Sequence, residues 1–360
     1  MDAASLTVGF LGTGFMTQVH SRGARLAGAR IAGVVGSSPA KGAAAARELR
    51  LGRGYDSVAE LVSDPEIDLV HVCTPNALHA EQVRAVLAAG KHVICEKPLG
   101  VTGDEAAGLL AAAGDAVTGV PFVYRFHPLV REARARVRAG DIGTVLHVNG
   151  VYLQDWMLDP ANHNWRADGD AGGPSRAFAD IGSHLCDLVE FVTGDRIARV
   201  CAVKSTVYAQ RGGHVVDNED AGALLVTTTG GAIGTLLVSQ VAPGRKNGLV
   251  IEIAGSAESI RFDQEQPETI WLGRATGSVL LPRDPDQLGP DAQRLSIIPA
   301  GHPQGYQDAF NAFIADTYAA VGGETSDGLP TFADGARAAR LTDAFLAATD
   351  QAGWVDVVDS

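Results

Sequence analysis

The stretch Thr7-Val8-Gly9-Phe10-Leu11-Gly12-Thr13-Gly14-Phe15-Met16-Thr17 carries an apolar, strand-like run straight into a glycine turn and then into a helical segment. Glycine at 12 permits the tight turn. Glycine at 14 lets the backbone approach a pyrophosphate seated on the helix N-terminus. The third glycine of G-x-G-x-x-G is replaced by Thr17, which predicts a helix set slightly farther from the strand. Outward from this turn, strand-like runs recur at Ile31–Val35, Asp68–Cys73, His92–Cys95 and Val120–Tyr124. Ala-rich helical segments such as Ala77–Ala89 and Asp104–Ala113 separate them, and Thr102-Gly103-Asp104-Glu105 fits a capping box. Such alternation predicts βαβ units with right-handed crossovers, hence a doubly wound parallel sheet.

The pattern changes after residue 125. A helix over Pro128–Ala139 precedes a strand over Val145–Leu153 and a long polar loop, Gln154–Ala179. A helix from Asp180 to Thr193 stops at Gly194. Strands are then expected at Ala198–Ala209, Asp220–Thr228, Ala232–Val241, Leu249–Ala254 and Ser259–Phe262, with glycine turns that favour antiparallel pairing. Two terminal helices, Gln304–Val321 and Thr331–Ala352, complete the chain. The expected fold class is α/β. An N-terminal Rossmann domain (1–125) is followed by an α+β domain (126–360) with a large open, mainly antiparallel sheet, and the terminal helices pack back on the first domain.

Of 360 residues, 46% are hydrophobic and 20% charged, enough apolar surface for a large core. The formal charge of −13 and the lack of a dense Lys/Arg run argue against a nucleic-acid partner. The most apolar stretch, Gly222–Val241, is broken by Thr227-Thr228-Thr229-Gly230-Gly231 and reads as a hairpin rather than a membrane span. Four isolated cysteines, Cys73, Cys95, Cys186 and Cys201, show no metal-ligand rhythm and fit a reducing compartment. Met1–Ser5 lacks the features of a secretion signal. The expectation is a cytoplasmic protein with no resident metal.

The glycine loop makes Gly12, Thr13, Gly14, Phe15 and Met16 candidates for holding a dinucleotide. The second strand should end in an acid for the ribose 2′-hydroxyl, but Gly36 stands there, in Val34-Val35-Gly36-Ser37-Ser38. Ser37, Ser38 and Lys41 could serve either nucleotide, so NAD and NADP both stay open.

Two further segments follow strands: Cys73-Thr74-Pro75-Asn76-Ala77-Leu78-His79 and Cys95-Glu96-Lys97-Pro98-Leu99. With Gly12 and Gly14, the chain resembles the glucose–fructose oxidoreductase / inositol dehydrogenase / rhizopine catabolism (Gfo/Idh/MocA) family over nearly its whole length. Asp180-Ile181-Gly182-Ser183-His184 matches that family's Asp-then-His motif. On a helix, 180, 184 and 187 share one face. By itself this is a surface Asp–His pair or a three-ligand metal set. The resemblance instead implies hydride transfer from an alcohol carbon to nicotinamide. His184 is then general base, Asp180 orients it or binds a hydroxyl, and Lys97 stabilises the developing alkoxide. Asp187 supports His184 from one turn away. Thr74, Pro75, Asn76, His79, Glu96 and Lys97 join the cofactor set.

The 154–179 loop carries Gln154, Trp156, Trp165, Arg166 and Arg176, flat aromatics beside polar arms, as a sugar site needs. The same tryptophans could equally anchor the loop. Tyr124 and Phe126, in Tyr124-Arg125-Phe126-His127-Pro128, resemble the family's pocket wall. His302 and Tyr306 are further candidates. A neutral sugar, glycoside or cyclitol is the expected substrate of an NAD(P)-dependent dehydrogenase. Alternatives are a sugar-modifying enzyme that cycles a tightly bound nicotinamide, a non-catalytic sugar-sensing regulator, and a purely structural assembly role. The second sheet, with Leu224, Val226, Leu236, Val238, Ile251 and Ile253 taken as its uncovered face, is expected to pair with another subunit in a homodimer or homotetramer.

Overall fold

The Thr7–Leu11 run forms a wholly buried strand (β1), because every side chain in it is apolar or paired and helices cover both faces of the sheet. From it the chain winds through α1 (Phe15–Leu26), β2 (Arg30–Val35), α2 (Pro39–Glu48), β3 (Arg53–Tyr55), α3 (Val58–Val62), β4 (Leu69–Val72), α4 (His79–Ala88), β5 (His92–Cys95), α5 (Gly103–Ala112) and β6 (Thr118–Gly119). The computed structural model describes residues 6–162 and 164–358; the Met1–Ser5 reading lies outside them. The six strands are all parallel in the order β3-β2-β1-β4-β5-β6, the doubly wound arrangement expected. Thr102 caps α5: its Oγ1 accepts from Glu105 N at 3.2 Å, while Glu105 Oε2 accepts from Val101 N at 2.8 Å.

Two local expectations are corrected here. Val120–Tyr124 is not a strand: pairing ends at Gly119, and Val123–Phe126 is a 3₁₀ turn. The short β3 was not expected, since three residues beside glycine carry too little pattern to show as a strand.

Contacts divide the chain into two units. Residues up to Val123 together with Gln307–Ala336 form the first, and Tyr124–Tyr306 together with 337 onward form the second. The first unit is therefore built from two stretches of chain, the second of which holds most of the helix over Tyr306–Val321.

The second unit contains α6 (Pro128–Ala139), β7 (Val145–Leu153), α7 (Gly169–Gly172), α8 (Ser183–Thr193), β8 (Ile197–Ser205), β9 (Gln210–Arg211), β10 (His214–Val215), β11 (Ala221–Thr228), β12 (Ile233–Ser239), β13 (Gly248–Gly255), β14 (Ser259–Asp263), β15 (Thr269–Arg274), β16 (Gly277–Pro282) and α9 (Pro290–Leu295). The chain ends with α10 (Tyr306–Val321), α11 (Phe332–Gln351) and β17 (Trp354–Asp356). Nine strands pair in the order β16-β15-β14-β13-β7-β12-β11-β8-β17. Only β7 and β12 run parallel; the other pairs are antiparallel.

Helix α8 lies on one face of this sheet. Gly150 of β7 permits that approach, since a Cβ there would sit 2.9 Å from Leu185 and from Leu236. Leu224, Val226, Leu236, Val238, Ile251 and Ile253 all point into this core, so the expected uncovered face is corrected by one residue of register. The other face shows Val203, Leu225, Ile233 and Leu237, 68%, 50%, 63% and 41% exposed. Among the described residues no helix is long and apolar enough to cross a membrane.

Candidate active site

In the first unit, Gly12 adopts φ +103°, and a Cβ on it would lie 2.5 Å from the Cys73 carbonyl oxygen. Only glycine fits this crossing of two strand ends. A Cβ on Gly14 would meet nothing within 4 Å, so the space over the α1 N-terminus is open to a pyrophosphate. Thr17 is fully buried, and its hydroxyl donates to Gly12 O at 2.9 Å, closing the turn where the fingerprint has glycine. These features fit a dinucleotide.

The missing acid at 36 has a steric cause. A Cβ there would sit 2.5 Å from Gly42 N, because α2 packs its first turn against the end of β2. Ser38 Oγ accepts from Lys41 N at 3.3 Å and caps α2, which leaves its own hydroxyl proton to donate elsewhere. Ser37 and Lys41 are exposed.

The loops after β4 and β5 are tied to one another. His79, fully buried, reaches Thr74 O at 2.9 Å and Pro98 O at 2.8 Å, and burial lowers its pKa. It ties the two loops to each other. Thr74 Oγ1 bonds Gln82 at 2.7 Å, and Asn76 opens a 3₁₀ turn that leads into α4. Glu96 Oε2 accepts from Lys97 N at 3.1 Å.

In the second unit, the Asp180–His184 pair is built differently from the expected continuous helix. Phe178–Gly182 forms a π turn, and α8 begins only at Ser183. Gly182 allows it: a Cβ there would lie 2.5 Å from the Phe178 ring. Wide turns of this kind recur at functional sites. Asp180 accepts from Gln240 Nε2 at 2.7 Å and pairs with Arg166 at 3.5 Å. Asp187 is held in a buried two-point pair by Arg125, so its partner is that guanidinium.

His184 stands edge-on to Tyr124, ring centroids 5.1 Å apart, with Tyr152 at 6.4 Å. The two phenols and Asn247 close a hydrogen-bonded ring. Tyr152 donates to Asn247 Oδ1 at 2.6 Å, Asn247 Nδ2 donates to Tyr124 at 3.1 Å, and Tyr124 is left to donate to Tyr152. Trp156 Nε1 donates to Gln154 at 2.8 Å, and Gln154 Nε2 donates to Asn247 at 3.0 Å. Burial raises the pKa of Tyr124 and raises that of Tyr152 further, so both remain neutral hydroxyls. Arg166 stacks over Trp165 at 4.4 Å.

Arg176 is not in this group. Its guanidinium is buried against Asp220, with Nε donating to Glu219 O at 3.3 Å, so the expected hydroxyl contact is corrected to an internal tie. Phe126, 1% exposed, lies under Arg131 as part of the packing. His302 gives its carbonyl to Arg283, while Tyr306 lies tilted to Tyr124 at 6.2 Å. Asn247, Tyr152 and Gln240 were missed, because they converge from separate strands and loops. Their hydrogen-bonding side chains beside strand ends were the only signal.

His127, adjoining this wall, stacks on Tyr124 and is 2% exposed; burial lowers its pKa to about 4. The unfolded ring takes its proton near 6.5, so stability is full above that pH and falls as pH drops from 6.5 toward 4. The expected loss across that window is about 3 kcal/mol. His127→Leu is expected to give a shallower fall in melting temperature between pH 7 and pH 4.5, read by calorimetry.

Residues 6–118 match the description "Oxidoreductase family, NAD-binding Rossmann fold", and residues 130–261 match "GFO/IDH/MocA C-terminal domain". The fold and the glycine loop accordingly define a two-unit, NAD(P)-dependent oxidoreductase. Levoglucosan dehydrogenase of Pseudarthrobacter phenanthrenivorans is 32% identical, across 98% of both chains. The chain is also similar to a solved structure of levoglucosan dehydrogenase in complex with NADH and levoglucosan (TM-score 0.91, 32% identity, 98% of this chain and 99% of that one). A third likeness is to an inositol dehydrogenase homologue complexed with NAD⁺ from Azotobacter vinelandii (TM-score 0.89, 28% identity, 98% and 97%). The chain belongs to the Gfo/Idh/MocA family.

Proposed function

We propose that the enzyme oxidises a secondary hydroxyl of a neutral polyhydroxylated ring (an anhydrosugar, sugar, glycoside or cyclitol). The observation that carries this reading is the chain Trp156–Gln154–Asn247–Tyr152–Tyr124 beside His184. It offers neutral donors and acceptors and a flat aromatic, and it contains no cation. Its charged neighbour Arg166 is matched by Asp180. A phosphorylated sugar would need uncompensated Lys or Arg. The likeness to levoglucosan dehydrogenase over nearly the whole length supports the same substrate class.

Bound NAD or NADP supplies the hydride acceptor, and Gly12, Thr13, Gly14, Phe15, Met16, Ser37, Lys41, Thr74, Pro75, Asn76 and Glu96 are the residues to hold it. His184 takes the hydroxyl proton, since the buried phenols of Tyr124 and Tyr152 stay protonated and an imidazole is suited to exchange at neutral pH. Asp180, fixed by Gln240 and Arg166, orients the substrate or the ring. The ammonium of Lys97 balances charge developing on the oxygen. Gln154, Trp156 and Trp165 form the sugar-facing wall.

The exposed sheet face with Val203, Leu225, Ile233 and Leu237 supports pairing with a second copy, in a dimer or tetramer. Four free thiols support a cytoplasmic location.

The test is a panel of levoglucosan, other anhydrosugars, inositols, aldoses and glycosides, each with NAD⁺ and with NADP⁺. The expected result is steady growth of reduced-nicotinamide absorbance with at least one anhydrosugar or cyclitol, from a sample whose light-scattering mass is a multiple of the chain. Retained nicotinamide with a changed sugar and no net reduction would replace this reading with an internal redox cycle. Turnover only of phosphorylated sugars would overturn the neutral-ring assignment.

A further inference from the structure

A line of four buried polar side chains crosses the first unit beneath the Glu96-Lys97 turn. It draws on four separate elements: Glu96 at the end of β5, His20 on α1, His71 on β4 and Tyr318 on α10. His20 Nε2 lies 3.0 Å from Glu96 Oε1, His20 Nδ1 lies 2.9 Å from His71 Nδ1, and His71 Nε2 lies 2.7 Å from the Tyr318 hydroxyl. Both histidines and Tyr318 are 0% exposed. Phe310 covers His20 at 4.6 Å, and Phe10 stacks on His71 at 4.6 Å. A packed core does not retain two imidazoles in contact without a hydrogen-bonding reason.

Glu96 Oε2 accepts from Lys97 N. With Glu96 taken as ionised, its other oxygen can only accept, and that premise sets the direction of the whole line. His20 therefore donates from Nε2 and, with one proton on its ring, accepts at Nδ1. His71 then donates from Nδ1 and accepts at Nε2, and Tyr318 donates to it. Burial and the neighbouring His20 drive the His71 pKa well down, in keeping with a neutral ring. Every donor in the line points toward Glu96.

We propose that Tyr318, His71 and His20 form a one-way hydrogen-bond chain that pins Glu96 as a carboxylate and so fixes the backbone that presents Lys97. They are positioning residues, and the inference rests on the reading of Lys97 as a catalytic group. Other groups facing Glu96 or the chain are Lys97 itself, His79 of α4, and the thiols of Cys73 and Cys95. Burial raises the pKa of both thiols and lowers that of His79.

Two measurements on the full chain saturated with NAD test this. Long-range proton–nitrogen NMR of protein labelled with ¹⁵N at histidine, assigned with His20→Gln and His71→Gln, is expected to show the Nε2–H tautomer at His20 and the Nδ1–H tautomer at His71 from pH 6 to 9. An imidazolium at His20, or reversed tautomers, would overturn the proposal whatever the activity. In kinetics, His20→Leu fills the space but breaks the chain. It is expected to lower kcat about tenfold at unchanged sugar KM, and to move the acid limb of the pH profile upward. His20→Gln offers an amide N–H to Glu96 and a carbonyl to His71, so it is expected to restore kcat to within about twofold of wild type. Equal activity of the Leu and Gln variants would reduce the line to a packing role. Lys97→Ala separates the two ideas: turnover surviving that change removes the catalytic reading, while the NMR result stands by itself.

Discussion

Lys97→Ala and His184→Gln are each expected to lower kcat by about 10²–10⁴-fold, the usual share of a positioned acid–base or charge-stabilising group. Nicotinamide nucleotide affinity should change little in His184→Gln, since the glycine loop proposed to hold the nucleotide belongs to the first unit and His184 to the second. The two variants should also respond differently to pH. His184→Gln removes the group proposed to take the proton, so the remaining rate should rise with hydroxide concentration. Lys97→Ala keeps that acceptor and should retain the acid limb. Steady-state kinetics across pH, alongside nucleotide fluorescence titration, checks both. If either variant kept a third of the wild-type rate, that residue's assignment would fail.

The second large effect concerns architecture. Asp220, in the turn before β11, is fully buried and gathers four donors. Arg176 and Arg211 pair with it, and Val207 N and Tyr208 N reach it at 2.7 and 3.1 Å. Burial alone would raise its pKa, but the two guanidiniums and the amides hold it below the usual carboxylate value. Next to it, Glu219 Oε1 receives Ser175 Oγ, Arg176 N and Phe178 N, so the start of the π turn carrying Asp180 hangs from these two acids. Asp220→Ala leaves two buried cations facing each other, and a loss of about 3–5 kcal/mol is expected. That corresponds to a melting temperature lower by about 10 °C. Asp220→Asn should fall between, since it can still accept from the two amides. Differential scanning calorimetry of the three proteins gives the comparison, and a shift under 2 °C for Asp220→Ala would contradict it. Activity should fall with stability in Asp220→Ala, because Asp180 loses its anchorage.

These effects mark the limits of what was legible in the residues alone. The nucleotide loop was readable because its requirement is local: a glycine at 12 for the turn and another at 14 for the ligand. The absence of an acid at 36 was also visible, but its cause, Gly42 pressed against Gly36, belongs to how α2 packs on β2. Arg176 looked like a ligand contact because an arginine in a polar loop has the same sequence context whether it faces a sugar or an internal aspartate. Asn247 and Tyr152 meet Tyr124 only after strands far apart in the chain have paired, and no spacing rule carries that information. The sheet's apolar faces were confused for a related reason. In β11 and β12 both faces carry leucine or isoleucine, so alternation gave no sign of which one α8 covers. The Asp180–His184 motif was recognisable by residue type, while its π turn depends on Phe178 packing over Gly182.

The chain's back-and-forth path sets the timetable of its biosynthesis. Central strand β7 leaves the ribosome at Leu153, but its partners β12 and β13 are not complete until Ser239 and Gly255. At about 5–20 residues per second, its apolar edges wait several seconds for those neighbours. The nucleotide unit waits longer still: Tyr318, the last member of the line beneath Glu96, follows His71 by 247 residues, so His71 gains its phenol only long after its own strand has been made. A nascent chain stalled before residue 306 would thus present an unfinished Rossmann unit to chaperones, and early termination would be sensed in the first unit as well as in the second.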